Sequence, residues 1–325
     1  MESLGSGSAD EAEINSATFQ HTPLDHSKAS IRLLRILPET SSNGLVQCHI
    51  WHDNVEAQYT CLSYVWGSDD DQKIILLNGK SFCVRKNLFD FLSVARTKYA
   101  NSRRTFWIDA ISINQTSIVE RNHQVAQMGS IYAKADEAVG WLGSSQSIER
   151  ALTFCIEISN FKPQTAAEAW ELWLSRRNRV MNDWRELQAH EYWERAWITQ
   201  EILSARRYKL LVNYLETDPT QFSVVGLLLP EMNKTPIPGT LTMGWTTKTR
   251  LFNSYLEALC GQKKVMNRKL IQLLHQFPGR QSQIPRDRIY SLLPIASDVN
   301  SFPIDYGSED GSVLLTALKH LKRSM

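Results

Sequence analysis

The sequence predicts an α/β protein: a parallel sheet flanked by helices, with an N-terminal β layer carrying a hairpin insertion and a helical C-terminal region. Two observations predict it. Between residues 59 and 143 the pattern alternates strand, helix, strand, helix, strand, which argues for parallel strands with covering helices. The strand segments YTCLSYVW at 59–66, TFWIDAISI at 105–113 and EAVGWLG at 137–143 are near-continuous apolar runs, as burial on both faces requires.

Taken in order, IRLLRIL at 31–37 and LVQCHIWH at 45–52 flank the turn-rich PETSSNG and read as a hairpin, the start of a small β layer. YTCLSYVW is a buried strand that delivers a loop at Gly67 and the polar SDDDQ. KIILLNGKSFCV at 73–84 sets Asn78-Gly79 between apolar runs, the strongest short-range hairpin signal, and reads as an inserted ribbon. NLFDFLSVARTK at 87–98 spaces Leu88, Phe91, Leu92 and Ala95 as one helix face, with Asn87 as its cap. TFWIDAISI is a second buried strand. Ser117 and Glu120 form a capping box that opens a helix over 118–134, whose apolar face runs Val125, Met128, Ile131, Tyr132, Ala135. EAVGWLG is the third strand.

Residues 147–190, rich in charge and tryptophan, read as an inserted helical segment with helices at 147–159 and 166–187 separated at Pro163. WERAWITQEILSA at 193–205 reads as one helix, and YKLLVNYL at 208–215 as a return to the sheet. Beyond 216, Pro219, Pro230, Pro236 and Pro238 mark loops between helices near 222–229, 247–260, 265–276 and 286–296. The expected organisation is a disordered lead over 1–25, a domain over 26–215 that includes the insertion 147–190, and a mostly helical region over 216–325 packed on it.

A chain of 325 residues with 42% hydrophobic content can bury a full core. Lys+Arg of 36 against Asp+Glu of 34 leaves a formal charge of +2, no footprint for nucleic acid. Five cysteines without CxxC or CxxxC spacing read as reduced core thiols, which fits a cytosolic or nuclear compartment, and a cytoplasmic protein is expected. The N-terminus has no apolar signal region and no apolar run reaches membrane-spanning length, so no membrane insertion is expected.

Candidate chemistry gathers at strand ends. Trp193, Trp197 and Glu201, four apart on one predicted helix, would share a stripe and set a carboxylate beside aromatic surface, where its charged form is disfavoured. The same pattern suits core tryptophans with a solvated acid. Arg195, offset from the stripe and four residues after Glu191, reads as half of an exposed helix pair. Asp109, inside the apolar FWIDAISI, needs a partner, from a structural network or a ligand. Ser63, Tyr64 and Trp66 end the first strand of the parallel set, where open α/β sheets bind ligands, and Tyr64 and Trp66 either stack on a ring or belong to the core. Asn114 and Gln115 form a turn. No dinucleotide fingerprint, P-loop, HExxH pair, His/Cys zinc spacing or GxSxG elbow is present, so no metal or cofactor is called for.

YTCLSYVWG at 59–67, FWIDAISINQ with the following ER, Gln124, Met128, IY, Ala135 and WLG, and RAWITQE at 195–201 resemble, in order, the three blocks of the heterokaryon incompatibility (HET) domain of filamentous fungi. IPRDRIYSLLPIASD at 284–298 is similar to a segment that often follows them. Ser112 stands where cysteine is common, and Pro294 where glycine often occurs. The resemblance implies a fungal nonself-recognition and cell-death effector, with self-association and an upstream recognition protein as partners. It also implies a distant likeness to Toll/interleukin receptor (TIR) domains, in which WERAWITQE falls where enzymatic members place a tryptophan and an NAD-cleaving glutamate. On that comparison Glu201 is the catalytic carboxylate, NAD or a related nucleotide is the substrate, and Ser63, Tyr64, Trp66, Asp109 and Trp197 shape its pocket. The alternatives are a noncatalytic self-associating module and a module that senses a nucleotide without consuming it.

Overall fold

The computed structural model describes residues 17–161, 165–222, 247–259, 268–299 and 302–324. Among the described residues nine strands form one mixed sheet: β1 (Ser30–Ile36), β2 (Gln47–Asn54), β3 (Thr60–Tyr64), β4 (Gln72–Leu77), β5 (Lys80–Arg85), β6 (Phe106–Trp107), β7 (Glu137–Trp141), β8 (Tyr208–Val212) and β9 (Leu215–Thr217), in the order β5-β4-β2-β1-β6-β3-β7-β8-β9. The centre, β6-β3-β7-β8, is parallel as the alternating pattern requires. Antiparallel pairs flank it, so the sheet is mixed rather than parallel throughout.

The N-terminal hairpin is not a separate layer. β1 buries Ile31 and Leu33 on one face and Leu34 on the other, so both of its faces are covered. It pairs with β2 along its length and meets β6 through Leu34 opposite Phe106. The β4–β5 ribbon continues the same sheet. Asn78 and Gly79 take the positive φ values, 50° and 78°, that a tight hairpin turn demands. Residues 17–19, within the segment expected to be a disordered lead, run along β5, with the Phe19 N–H on the Ser81 carbonyl at 2.9 Å.

Helices cover both faces. On one, α1 (Lys86–Lys98) packs Leu88, Phe91 and Leu92 against Leu62, Val139 and Trp141. Its N-cap is Arg85, and Asn87 does other work: Asn87 Nδ2 donates to the Val65 carbonyl at 2.6 Å and its Oδ1 accepts from Trp141 Nε1 at 2.9 Å. This amide ties together the chain leaving β3 and the end of β7. Opposite lie α3 (Ile118–Lys134), α4 (Gln146–Phe161), α5 (Ala166–Ala189) and α6 (Ile198–Ser204), while the single turn α2 (Asp109–Ser112) puts Ile111 into the α1-side core. The helices at Thr247–Leu259, Leu270–Gln276 and Asp287–Tyr290 pack with this second group through Tyr255, Leu273, Phe277 and Tyr290. The helix expected near 222–229 lies outside the described residues apart from Phe222, as does the separation at Pro163. Among the described residues no helix is long and apolar enough to cross a membrane.

FWIDAISI departs most from expectation. Only Phe106 and Trp107 are strand. Ser112 Oγ accepts from the Ile108 N–H at 3.1 Å and Asp109 Oδ1 from the Ala110 N–H at 2.7 Å, and these local bonds turn the chain into the single turn α2. Asp109 therefore opens a helix just beyond a strand tip. Ser117 caps α3 as the capping box predicts, but the Glu120 side chain does not return to it. Glu120 takes both Nη atoms of Arg32, at 2.6 and 2.9 Å, and the Asn114 N–H. Arg32, 2% exposed, also donates to the Ser112 carbonyl at 2.9 Å, so this pair anchors α2 from the N-terminal strand.

Replacing one member of such a buried pair leaves the other uncompensated, at a cost of about 3–5 kcal/mol. Glu120→Gln is expected to lose stability of that order in urea denaturation. Burial alone would raise the Glu120 pKa, but the Arg32 and Asn114 bonds bring it below its ordinary 4.5. Its contribution is then full above pH 4.5 and fades as pH falls through the lower folded value, so acid should erode the parent's advantage over the variant.

Candidate functional site

Side chains of β3 alternate between faces: Leu62 and Tyr64 join the α1 side, while Cys61 and Ser63 turn toward α3 and α6. Ser63 lies beside Gly140 of β7. Its hydroxyl donates to Glu201 Oε2 and shares a 2.6 Å hydrogen bond with the Tyr192 hydroxyl, which is bonded in turn to the Tyr208 hydroxyl. Gly140 makes this close approach possible. A Cβ there would stand 2.8 Å from the Tyr192 oxygen and 2.9 Å from that of Tyr208.

Glu201, on α6, is 1% exposed. Arg195 Nη1 stands 3.4 Å from the same Oε2, with 15% of its side chain reaching solvent. Both contacts fall on Oε2, so Oε1 takes no hydrogen bond from any described residue. The second carboxylate, Asp109, is half-buried and accepts from Trp66 Nε1 at 2.9 Å through Oδ2. Trp66 is itself overlaid by the Arg85 guanidinium, 5.1 Å from the ring centre. Arg195 acts on both acids at once.

Burial pushes the Glu201 carboxyl above its ordinary value; Arg195 and Ser63 pull it back, and the charge of Asp109 adds to the rise. Asp109 is raised by burial too, against the pull of Arg195, Trp66 and Tyr64. Burial disfavours the Arg195 cation, but Glu201 and Asp109 more than offset that and hold its proton more tightly than usual. At the 3.4 Å separation of the pair, an effective dielectric of about 20 gives an attraction of about 5 kcal/mol. The desolvation penalty is also several kcal/mol per ion, so gain and cost are of one order and the geometry decides the balance.

These groups stand at the carboxyl ends of β3 and β6, the edge where open α/β sheets hold ligands. Residues 59–201 match the heterokaryon incompatibility protein (HET) family. The chain carries a HET domain. Comparison with curated proteins and with solved structures finds no match. The HET segment begins at Tyr59, one residue before β3, and ends on Glu201, so it spans every side chain of the cluster except Tyr208.

Of the residues singled out in the sequence, Ser63 and Glu201 are bonded to each other, and Trp66 and Asp109 are bonded to each other. Tyr64 is buried on the α1 side and faces Asp109 rather than Glu201. Trp197 is half-buried and turns its indole N–H to Asp287, at 3.1 Å. The segment 193–205 is not one helix. A 3-10 turn over Glu191–Glu194 ends at Arg195, whose backbone is extended, and α6 begins only at Ile198. Trp193 therefore leaves the proposed stripe; its indole N–H bonds the Leu187 carbonyl at 2.7 Å and its ring packs on Phe252.

Arg195 is the largest correction: it is not an exposed partner of Glu191 but the counter-ion of Glu201. Helical spacing hid it, because residues six apart on a continuous helix point about 120° away from each other. Tyr192 and Tyr208 carried no signal of their own. Gly140 did, since a glycine inside a buried strand marks close approach by another group. Among the described residues no group of three or more His, Cys, Asp or Glu is placed to hold a metal ion.

Gly140→Ala is expected to cost about 1–3 kcal/mol by overpacking. That cost should shrink in a Tyr192→Phe/Tyr208→Phe background, where the two crowding oxygens are gone. A thermodynamic cycle from chemical denaturation measures the difference, and equal costs in both backgrounds would separate Gly140 from the hydroxyl chain.

Proposed function

We propose that this HET-domain chain is a fungal cell-death effector that hydrolyses the nicotinamide glycosidic bond of NAD or a related nucleotide, with Glu201 as the catalytic carboxylate. The observation that carries the reading is a buried glutamate with one oxygen held by Ser63 and Arg195 and the other without a hydrogen-bond partner among the described residues. Nicotinamide leaves a pyridinium as a neutral molecule, so no general acid is required. The C1′–N bond breaks with its electron pair going to nitrogen, positive charge develops on the ribose, and water adds to C1′ with release of a proton.

A single carboxylate suits that course, in contrast to the two needed where an alkoxide departs. With Glu201, Asp109 and Arg195 all ionised, the cluster carries a net single negative charge, which favours a cationic transition state in a site poor in water. Arg195 favours the ionised form of Glu201, Ser63 orients it, and the half-buried Trp66 and Trp197 are the aromatic surfaces for a base or a nicotinamide ring. The distant TIR likeness belongs to this reading, as do self-association and an upstream recognition partner.

A specific observation favours a second reading. Glu201 is nearly inaccessible and paired, and structural ion pairs also perturb carboxylates. On that reading the cluster holds a noncatalytic signalling scaffold together.

Purified protein incubated with NAD separates the two. Glu201→Gln is expected to abolish nicotinamide release while leaving the protein folded by circular dichroism. Turnover undiminished in both Glu201→Gln and Glu201→Ala would remove Glu201 from the chemistry. Activity should fall as pH drops through a Glu201 pKa that lies above the ordinary 4.5, because the ionised form is the active one. Arg195→Gln removes the charge that lowers this pKa, so the acidic limb should move to higher pH.

A further inference from the structure

We infer that the segment around Arg280, Gln281 and Asp287, which lies outside the matched residues 59–201, positions Arg195 and Trp197 and is a required part of the site. The inference concerns the same cluster as the proposed activity, but its first test does not depend on that activity.

Arg195 sits at the break between the 3-10 turn and α6. Were WERAWITQE one continuous helix, Arg195 and Glu201 would lie six residues and about 9 Å of rise apart on different faces, and no ion pair could form. The pair exists because the backbone is extended at Arg195. What holds it extended comes from elsewhere in the chain. The Ala196 N–H, which a helix would direct to Tyr192, donates to the Gln281 carbonyl at 2.8 Å, and the Gln281 N–H returns to the Glu194 carbonyl at 2.5 Å. Arg195 and Gln281 thus form an isolated parallel bridge.

Arg280 fixes that bridge. Its guanidinium is 2% exposed and donates to four acceptors: the carbonyls of Ala196 at 3.3 Å, Phe277 at 3.0 Å and Arg288 at 2.5 Å, and Ser291 Oγ at 2.8 Å. All five N–H groups of a guanidinium lie in one plane, so four bonds of this kind define its position closely. One of them lands on the residue next to Arg195.

Asp287 makes the second attachment. One of its oxygens accepts from Trp197 Nε1 at 3.1 Å and the other from the Tyr306 hydroxyl at 2.6 Å. The first residue before α6 is thereby pinned, and with it the rotation of the helix that presents Glu201. Side chains on Arg280 and Asp287 do not touch Glu201. They act through the backbone of 195–197.

The test uses the full chain and two variants, Arg280→Lys and Asp287→Asn. Lysine keeps the charge but cannot span the four acceptors; asparagine is isosteric but lacks one of the two acceptor oxygens. Amide hydrogen exchange is followed by mass spectrometry. We expect peptides covering 193–201 to lose protection at least tenfold in each folded variant, while β3 and β7 keep theirs. The acidic limb of NAD turnover should also move to higher pH, because an Arg195 released from its pair no longer lowers the Glu201 pKa.

Full protection of 193–201 in both variants would overturn the inference. Equal loss across 193–201, β3 and β7 would overturn it as well, since that is plain destabilisation. If Arg280→Lys does not fold, Asp287→Asn alone decides. If the parent protein does not consume NAD, the catalytic reading fails by itself, and the exchange result still judges the role of the C-terminal segment.

Discussion

A carboxylate buried against the face of a parallel sheet is the constraint around which the rest of this structure is arranged. Glu201 is removed from water, and its charge persists only where a cation and a hydroxyl donor are delivered to it. Each delivery imposes a requirement elsewhere. Ser63 must point to the α6 side, which fixes the register of β3 against β7 and places Gly140 next to it. Any larger residue at 140 would displace the tyrosine hydroxyls that complete the Ser63 bonds. Arg195 must leave helical geometry to reach its partner. A single desolvated acid therefore accounts for a glycine in a strand, a pair of facing tyrosines and a broken helix.

Much of the scaffold was legible in sequence because local chemistry sets it. The Asn78-Gly79 turn, the apolar face of α3 and the parallel β3–β7 core depend on neighbours within a few residues or on uninterrupted apolar runs, and each stands where the pattern puts it. The pairing of Ser63 with Glu201 was only partly legible: the residues could be named, but not their bond. What sequence could not supply was every feature decided by a distant segment. Periodicity makes 193–205 one helix, and it is Gln281, some 85 positions away in the chain, that takes the Ala196 N–H. The same holds for Asn87, a plausible cap by local rules, whose amide is claimed by Val65 and Trp141. In FWIDAISI the failure is local but subtle, since Ser112 and Asp109 bond their own backbone and override the β-branched pattern.

The two acids are anchored from opposite ends of the chain. Asp109 opens α2, whose last carbonyl is gripped by Arg32 of β1, and Arg32 in turn is locked to Glu120 of α3. Arg195, whose charge acts on both acids, is set by Arg280 and Gln281. The electrostatics of Glu201, Arg195 and Asp109 are consequently not a property of the matched segment alone. A displacement of either the N-terminal strand or the C-terminal segment would alter the balance between attraction and desolvation at Glu201 without any contact to it. Because gain and cost there are of the same order, a small change in geometry is enough to change the ionisation of the buried acid, and with it whatever the site does.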